Sequence, residues 1–329
     1  MTISIIKSND VKNDLLNDIV KLVDNEGVYS DKRLHTFDYY SWKLKNNPCG
    51  AYVVVNYSGE DLMCLITFTA KGEAVNDSSI LYELGDVYVS SKMRGGGCFF
   101  RMLRRFHQEF PEIKVYGTPN DLALPTELKV GYKQLDIGLK YSFMPFGIPL
   151  FHFLGNRVSF FKYLYKIDLF TRMLNRFIYL FVKDIECEVL VAINNIDLKL
   201  FSSSLFVKSE RYLLWRYSKS PEPYKYIISM CGENIVIYKN ILYKNIPFVI
   251  IVDHNLKSSL RKRQMLKQIL IKERVFGVFE MTASSISSIL SKFNTLTVKV
   301  VKFITYGDFF NKNQSMDDVR FLAGDTDNV

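Results

Sequence analysis

A run of three glycines between a strand-like and a helix-like segment restricts the fold of this sequence more than any other feature. The apolar run Ile80–Val89 precedes the glycines, and the sequence then reads Ser-Ser-Lys-Met-Arg94-Gly95-Gly96-Gly97-Cys98. A helical pattern follows, with apolar residues on one face at Phe99, Met102, Leu103, Phe106 and Phe110 and with Pro111 as its stop. Glycines let the backbone approach an anion closely, and the first turn of a helix presents unpaired N–H groups. The pattern therefore predicts a phosphate-binding turn.

Two common phosphate-binding motifs do not fit this turn. A Walker loop requires Gly-Lys-Ser/Thr after four intervening residues, and that sequence does not follow. A dinucleotide fingerprint requires a third glycine where Phe100 stands, and an acidic residue on the next strand, whereas the strand-like run 113–117 leads into Thr-Pro-Asn. The turn must therefore be assigned to another class of fold.

The loop resembles the coenzyme A loop of the GNAT acyltransferases. That family has a valine near the end of a strand and then an Arg-Gly-x-Gly-x-Gly/Ala sequence at the head of a helix. The matching residues here are Val89, Arg94, Gly95 and Gly97. The sequence departs from the pattern at Ser91, where proline is common, and at Phe99, where a small residue is common.

The segment after the loop extends the resemblance. Residues 115–120 read Val-Tyr-Gly-Thr-Pro-Asn, and residues 128–132 read Leu-Lys-Val-Gly-Tyr. They are similar to the family's next strand, the asparagine after it, and the helix that ends in Gly-Phe/Tyr. With phenylalanine in place of the last small residue of the motif, the sequence resembles one branch of the family. Members of that branch have two GNAT-like halves and often occur with surface-polysaccharide enzymes.

The resemblance implies a binding site for acetyl-CoA as co-substrate. Backbone groups of Val87 and Val89 would pair with the pantetheine arm, and Asn120 would bond the arm further along. Backbone amides would hold the pyrophosphate along the loop, at Arg94, Gly95, Gly96, Gly97, Cys98 and Phe99.

A general base should project from the strand before the loop. Alternation along a strand predicts Glu83, Gly85, Val87 and Val89 on one side, and Asp86 on the other. Glu83 is similar in position to the base glutamate of several family members, and Asp86 is the second candidate. Alternatively, either carboxylate is a rim charge without a chemical role. Where the family often has a tyrosine acid, four residues before Gly-Tyr, this chain has Glu127, which leaves the acid unassigned.

The two tryptophans indicate a duplication. Trp42 and Trp215 lie 173 residues apart, each six residues before a proline, and the same offset carries Gly59-Glu60 onto Gly232-Glu233. Self-similarity at so long a period predicts two domain copies. The expected fold is α/β with a mixed sheet in each of two tandem GNAT-like domains. Residues 1–150 form the domain that binds acyl-CoA, and residues 185–329 form a degenerate copy, because residues 254–263 contain no glycine.

A basic and aromatic linker helix is predicted between the copies, over residues 151–184. Residues 157–183 combine aromatic residues at near-helical spacing with six basic side chains. Such a helix could contact an anionic membrane surface. Alternatively, its apolar side packs between the two domains while its lysines face water.

Composition restricts the compartment and the partners. Hydrophobic residues make up 48% of the chain, and five cysteines are scattered without metal-ligand spacing. The cysteines indicate a reducing compartment and no metal site, and the N-terminal sequence lacks a signal-peptide core. We expect a cytoplasmic protein, with peripheral contact to the inner face of the membrane as an option. The formal charge of +9 is concentrated on the linker, so no nucleic-acid partner is expected.

The predicted activity is N-acetyl transfer from acetyl-CoA to a primary amine. The resemblance to the two-domain branch suggests an amino sugar of a surface-glycan precursor as the acceptor. Two alternatives are an aminoacyl-tRNA-dependent transferase of the peptidoglycan cross-bridge type and a non-catalytic protein that binds CoA. The first alternative is disfavoured because those transferases generally lack the Arg-Gly-x-Gly loop.

Overall fold

The structure of the chain is a computed structural model. It describes residues 2–26, 35–75, 78–145, 187–190, 205–222, 224–229, 234–243, 246–273, 275–283, 296–308 and 322. The predicted linker helix at 151–184, with its basic stretch 157–183, lies outside the described residues, and so does the pair at 232–233.

Seven of the described strands form a first mixed sheet. In spatial order these are β1 (Thr2–Lys7), β2 (Ala51–Ser58), β3 (Asp61–Glu73), β4 (Ile80–Val89), β5 (Lys114–Gly117), β14 (Phe303–Tyr306) and β6 (Lys133–Leu135). Strands β4 and β5 are parallel, and the other pairs are antiparallel. The central strand β3 is buried along nearly its whole length, which explains its almost continuous apolar sequence.

A second sheet contains the other seven described strands. In spatial order these are β13 (Leu296–Val300), β7 (Lys140–Pro145), β12 (Gly277–Thr282), β11 (Ile246–His254), β10 (Ile235–Tyr243), β9 (Tyr224–Ser229) and β8 (Cys187–Leu190). Its parallel pair is β11 with β12, which corresponds to β4 with β5 in the first sheet. The two mixed sheets confirm the predicted α/β architecture and are consistent with a tandem arrangement.

The two sheets exchange one strand each. Strand β14, close to the C-terminal end, lies between β5 and β6 of the first sheet, and β7 from the first half lies between β12 and β13 of the second. Each sheet therefore contains strands from both predicted segments, 1–150 and 185–329. Because β14 completes the first sheet, the described fold of the first half includes chain from the second half.

Six described helices accompany the sheets. They are α1 (Asn13–Glu26), α2 (Phe37–Tyr40), α3 (Cys98–Glu109), α4 (Leu124–Val130), α5 (Glu210–Leu213) and α6 (Ser259–Glu273). Helix α3 packs Met102, Leu103 and Phe106 into a core that contains Phe68, and the Phe68 and Phe106 rings stack 3.8 Å apart. The predicted apolar face of this helix is thereby confirmed.

The two tryptophans meet at the contact between the halves. Each lies in a π-helical turn, Ser41–Lys45 or Leu214–Ser218, that follows α2 or α5. Their rings stack at 4.6 Å, and each indole N–H donates to the other residue's carbonyl, at 3.0 Å from Trp42 to Trp215 and 3.1 Å in return. This reciprocal contact shows that the repeated tryptophans are packing residues.

The N termini of α2 and α5 repeat each other as well. Thr36 caps α2 and Ser209 caps α5. In each case the side-chain oxygen accepts a hydrogen bond from the backbone N–H three residues later.

Beside the stacked tryptophans, a polar cavity of about 880 Å³ lies between the halves, with Lys45, Arg211 and Lys219 in its wall.

Candidate functional site

The glycine loop joins the end of a strand to the start of a helix, as predicted. Strand β4 ends at Val89, a 3₁₀ turn covers Ser91–Met93, and α3 begins at Cys98. Gly95 and Gly97 have φ angles of +78° and +69°, a backbone region that favours glycine. The glycines are therefore required by the shape of the loop, whatever it binds.

Glu26, the last residue of α1, contacts the loop through its carboxylate. Its carboxylate accepts hydrogen bonds from the hydroxyls of Ser90 and Ser91, both at 3.0 Å, and pairs with Arg94 at 3.1 Å. Burial acts to raise the pKa of Glu26, but the bonds from Ser91, Ser90 and Arg94 outweigh it and lower the pKa. Sequence reasoning missed Glu26, because nothing local distinguishes it from other acidic residues on an amphipathic helix.

Two guanidinium groups lie beside the start of α3, and one of them, Arg94, is paired with Glu26. The N-cap residue Gly97 has no side chain to cap the helix, and the first N–H groups of any α-helix have no intrahelical acceptor. A side chain built at Gly95 would meet nothing within 4 Å. Arg101 donates to the carbonyl of Gly96 at 2.6 Å, which places a second guanidinium beside the loop after Arg94. This arrangement suits a doubly charged anion.

Strands β4 and β5 separate beyond the middle of β4. They pair only from Leu81 with Lys114 to Leu84 with Gly117. Val87 and Val89 pair with β3 on their other side, opposite Ile66 and Cys64. Within the described residues, Val87 and Val89 therefore have no strand partner on the β5 side, and the Val89 carbonyl accepts a hydrogen bond from the Arg94 side chain at 3.2 Å. An extended ligand could add hydrogen bonds along this edge like a further strand.

A cavity occupies the gap that these strands leave. It has a volume of about 160 Å³ and lies between β4, the turn after β5 and α4. Its walls include Leu84, Asp86, Val87, Gly117, Asn120 and Glu127. Of the predicted site residues, the structure thus brings together Asp86, Val87 and Asn120 around one cavity.

The predicted alternation of side chains along β4 is wrong, because a β-bulge interrupts the strand. The register against β3 shifts between the pairs Ile66–Val87 and Phe68–Leu84, so that Gly85 and Asp86 together face Thr67. Thr67 accepts a hydrogen bond from the Asp86 N–H at 2.9 Å. As a result, Leu84 shares a hydrophobic cluster with Val87, which two-residue alternation would place on opposite sides.

The bulge is possible because residue 85 is glycine. A Cβ atom at Gly85 would lie 2.8 Å from the Thr67 hydroxyl oxygen and 3.4 Å from the Lys43 amine. Sequence reasoning missed the bulge, although an isolated glycine within a strand pattern is a signal for one.

The two candidate bases each pair with a buried lysine. Glu83 is fully buried and contacts Lys71 at 2.8 Å, and it does not border the cavity of 160 Å³. Asp86 contacts Lys43 at 2.8 Å, and its side chain keeps 8% of its surface exposed. The structure therefore places Asp86, and not Glu83, where a ligand in the cavity could reach it.

Glu127 is an unusual carboxyl group in the cavity wall. It is 2% exposed, and its Oε2 atom is buried without a hydrogen-bond partner among the described residues. Burial raises the pKa of Glu127 from 4.5 to about 8. A carboxyl with this pKa is mostly protonated at pH 7 and can donate a hydrogen bond.

Asn120 holds the turn that leads into α4. Its side-chain oxygen accepts from the N–H groups of Leu122 and Ala123 at 3.0 and 2.9 Å. The predicted bond from Asn120 to a pantetheine arm would have to use the amide NH₂ group of the side chain.

Tyr132, whose backbone N–H donates to the Glu127 carbonyl at 3.2 Å, belongs to a packed aromatic group. His107 on α3 bonds to the Tyr132 hydroxyl at 3.0 Å, and Tyr306 from the exchanged strand β14 stacks on His107 at 3.7 Å. Burial lowers the pKa of His107 to about 4, so the imidazole is neutral at pH 7. The second half of the chain thus supports the wall of the cavity in the first.

The corresponding loop of the second half differs. Only residues 255–258 separate β11 from α6, and none of them is glycine. The neighbouring Asp253 is buried and accepts from Lys208 at 2.6 Å and from the Tyr217 hydroxyl at 3.0 Å. This half keeps the strand–helix arrangement with a shorter loop and a different set of buried ion pairs.

Two further observations concern metals and membranes. Among the described residues, no group of three or more His, Cys, Asp or Glu side chains has the arrangement that would hold a metal ion. Of the helices that the structure describes, none combines the length and apolarity that crossing a bilayer requires.

Several solved structures are similar to this chain. A GCN5-related N-acetyltransferase from Anabaena variabilis gives a TM-score of 0.59 at 10% identity, over 92% of this chain and 72% of its own. A proposed acetyltransferase from Pyrococcus horikoshii gives 0.58 at 9% identity, over 97% and 92%. N-myristoyltransferase from Saccharomyces cerevisiae, solved with bound myristoyl-CoA, gives 0.55 at 10% identity, over 97% and 84%.

Sequence comparison adds no relative to these. No protein-family model matches the chain, and no curated protein sequence is significantly similar to it. At identities of about 10%, the structural likeness concerns the fold alone. The chain thus has the fold of the GCN5-related N-acetyltransferases, built as two mixed sheets.

Proposed function

We propose that this chain is an acyl-CoA-dependent N-acyltransferase that uses acetyl-CoA. The observation that carries the proposal is the continuity of three features of the first half. The start of helix α3 after Gly97, the edge of β4 that β5 leaves without a strand partner, and the cavity of about 160 Å³ follow one another along one strand. A pyrophosphate, an extended arm and a reactive group occur in the same order along acyl-CoA.

Each part of the donor has a proposed partner. The amides from Arg94 to Phe99 would hold the pyrophosphate, with the helix dipole and Arg101 adding positive potential. Val87 and Val89 would pair with the pantetheine arm along the free edge, and Asn120 would bond it through its amide. The structural neighbours support an acyl-CoA donor, because one of them was solved with myristoyl-CoA.

The size of the cavity favours a short acyl group. Its volume of about 160 Å³ is small beside the roughly 300–1,000 Å³ of typical ligand pockets. Such a space suits an acetyl group better than the fourteen-carbon chain of myristoyl-CoA. We therefore propose acetyl as the group transferred, and expect acetyl-CoA to be used in preference to myristoyl-CoA.

Asp86 is the better placed of the two candidate bases. The attacking amine must lose a proton, and the base must reach the cavity in which the thioester lies. Asp86 borders that cavity, whereas Glu83 is fully buried in a contact with Lys71 and does not border it. We assign Asp86 the role of accepting the amine's proton, directly or through water, and Glu83 a structural ion pair.

The acceptor is proposed to be a primary amine, and an amino sugar of a surface-glycan precursor is the specific candidate. That candidate rests on the resemblance of the loop to a two-domain branch of the family. A cytoplasmic location and a peripheral membrane contact through residues 157–183 are proposed from composition alone. Assaying a panel of amino-sugar nucleotides with acetyl-CoA would test the acceptor directly.

Thermal denaturation with and without acetyl-CoA tests the function. A ligand at 100 times its Kd stabilises the folded state by about 2.7 kcal/mol. We expect such stabilisation by acetyl-CoA, together with release of free thiol when an acceptor amine is added. Stabilisation without thiol release for any amine would favour the non-catalytic alternative, and salt-sensitive binding of tRNA without CoA binding would favour the tRNA-dependent one.

A further inference from the structure

We propose that the cavity between the two halves is a second ligand site, which binds a sugar phosphate through Arg211, Lys219 and Lys45. Its volume of about 880 Å³ lies within the range of roughly 300–1,000 Å³ that is typical of small-molecule sites. It shares no described wall residue with the cavity of about 160 Å³, so this site is independent of the proposed acyl transfer.

The cavity lies where the two copies of the duplication meet. Four pairs of its wall residues are separated by 173 positions, which is the offset between the two tryptophans. These pairs are Asp38 with Arg211, Trp42 with Trp215, Asn46 with Lys219, and Pro48 with Pro221. Equivalent residues of both halves thus border the same space, and a ligand in it contacts both halves.

The two copies differ in charge at this cavity. The tryptophan and proline pairs are identical, whereas Asp38 corresponds to Arg211 and Asn46 corresponds to Lys219. Both differences make the side formed by the second half more positive. Lys45 from the first half adds a third cation, and Asp38 is the one acidic residue among the wall residues that the structure describes. The excess of positive charge favours an anionic ligand.

The charges of these cations are available to a ligand. Neither Arg211 nor Lys219 forms an ion pair within the part of the chain that the structure describes, and the Lys45 amine contacts only the neutral side chain of Asn13, at 3.3 Å. Arg211 also acts across the interface. Burial raises the pKa of the Cys49 thiol, a wall group of the first half, and the charge of Arg211 opposes that rise.

The wall of the cavity is held in place by contacts that do not involve a ligand. Trp42 and Trp215 stack and exchange hydrogen bonds across the interface. The buried Asn47 side chain accepts from the Cys49 N–H at 2.9 Å and donates to the Ala70 carbonyl at 3.1 Å. The site is therefore preformed, and a ligand would lose little affinity to ordering it.

The wall chemistry suits a phosphate group that carries hydroxyl groups. A guanidinium such as that of Arg211 matches phosphate oxygens with paired N–H donors, and the lysine ammonium groups add charge. A bare phosphate would occupy only a small part of the space. The remaining wall includes uncharged polar residues, among them Ser8, Asn9 and Asn46, which can exchange hydrogen bonds with sugar hydroxyls.

Tryptophan fluorescence provides the test, because the chain's only two tryptophans both border this cavity. The full chain is titrated with a panel of hexose and hexosamine phosphates, with the unphosphorylated sugars and with inorganic phosphate. We expect a saturable change with at least one sugar phosphate, and a Kd at least tenfold higher for its free sugar and for inorganic phosphate. No saturable change with any sugar phosphate, or equal affinity for the free sugar or for inorganic phosphate, would overturn the proposal.

Two variants of the wall should change the affinity in opposite directions. Arg211→Gln should raise the Kd of the sugar phosphate at least tenfold, because a charge-assisted hydrogen bond is lost, and Arg104→Gln on the exposed side of α3 should not. Asp38→Asn should lower the Kd of inorganic phosphate, because it removes a repelling charge. A structural disturbance would not tighten binding. An unchanged Kd in Arg211→Gln, or a raised one in Asp38→Asn, would overturn the proposal.

A variant of the glycine loop separates this site from the proposed donor site. Gly95→Asp places a negative charge in that loop and should leave the Kd of the sugar phosphate unchanged. If Gly95→Asp raises this Kd as much as Arg211→Gln does, the sugar phosphate does not bind between the halves and the proposal fails. If the sugar phosphate binds as expected and acetyl-CoA does not bind, only the proposed function is lost.

Discussion

A charge placed at Gly95 should weaken the binding of acyl-CoA more than a neutral side chain of the same size does. Gly95 has a φ of +78°, and a side chain there would meet nothing within 4 Å. Aspartate and asparagine both tolerate this left-handed region better than other residues with a side chain. Gly95→Asp and Gly95→Asn therefore form a matched pair that differs mainly in charge.

The size of the effect follows from Coulomb's law. A side chain at the middle of the loop would place its carboxylate about 6 Å from a pyrophosphate held by the amides after Gly95. In bulk water each phosphate charge would then be repelled by about 0.7 kcal/mol, and two charges by about 1.4 kcal/mol. That energy corresponds to a tenfold higher Kd, and the lower dielectric near the protein surface makes tenfold a minimum.

Calorimetric titration of both variants with CoA measures this difference. We expect a Kd at least tenfold higher for Gly95→Asp than for Gly95→Asn at low salt. The ratio should shrink at 1 M salt, where the screening length is about 3 Å. Equal affinities for the two variants at low salt would refute the placement of the pyrophosphate at this loop.

Three further predictions concern stability, the base and pH. Trp42→Ala should lower the free energy of unfolding by about 3–5 kcal/mol, because it removes the ring stacked on Trp215 and one of the two reciprocal bonds; urea denaturation measures this, and a loss below 1 kcal/mol would contradict it. Asp86→Asn should reduce kcat by more than tenfold while leaving the Kd for CoA nearly unchanged, and the reverse would move the base elsewhere. Because the folded-state pKa of Glu127 is raised from 4.5 to about 8, its contribution to stability is complete below pH 4.5 and is lost as the pH rises towards 8. Glu127→Gln should flatten that part of a stability–pH curve, and an unchanged slope would argue against a buried acid.

The loop could be predicted from sequence because its chemistry is local. Three consecutive glycines, the apolar strand before them and the apolar helix face after them each depend on neighbouring residues. The duplication was visible for a related reason, since Trp42 and Trp215 are the chain's only tryptophans and lie in equivalent local settings.

The features that sequence reasoning missed depend on distant contacts. Strand β14 enters the first sheet from far along the chain, and no local pattern specifies which sheet a short strand joins. The bulge at Gly85 depends on Thr67 and Lys43 from other elements, and it changed which residues share a face of β4. The raised pKa of Glu127 depends on its burial in the folded chain, so the residue type alone did not indicate it.

The decisive measurement is the structure of a complex with acetyl-CoA. We expect pyrophosphate oxygens within about 2.7–3.2 Å of backbone nitrogens at Gly97, Cys98 and Phe99. We also expect the acetyl thioester in the cavity that Asp86 and Glu127 line, in the gap between β4 and β5. Acetyl-CoA bound at another surface, with no phosphate in contact with the N terminus of α3, would disprove the proposed donor site.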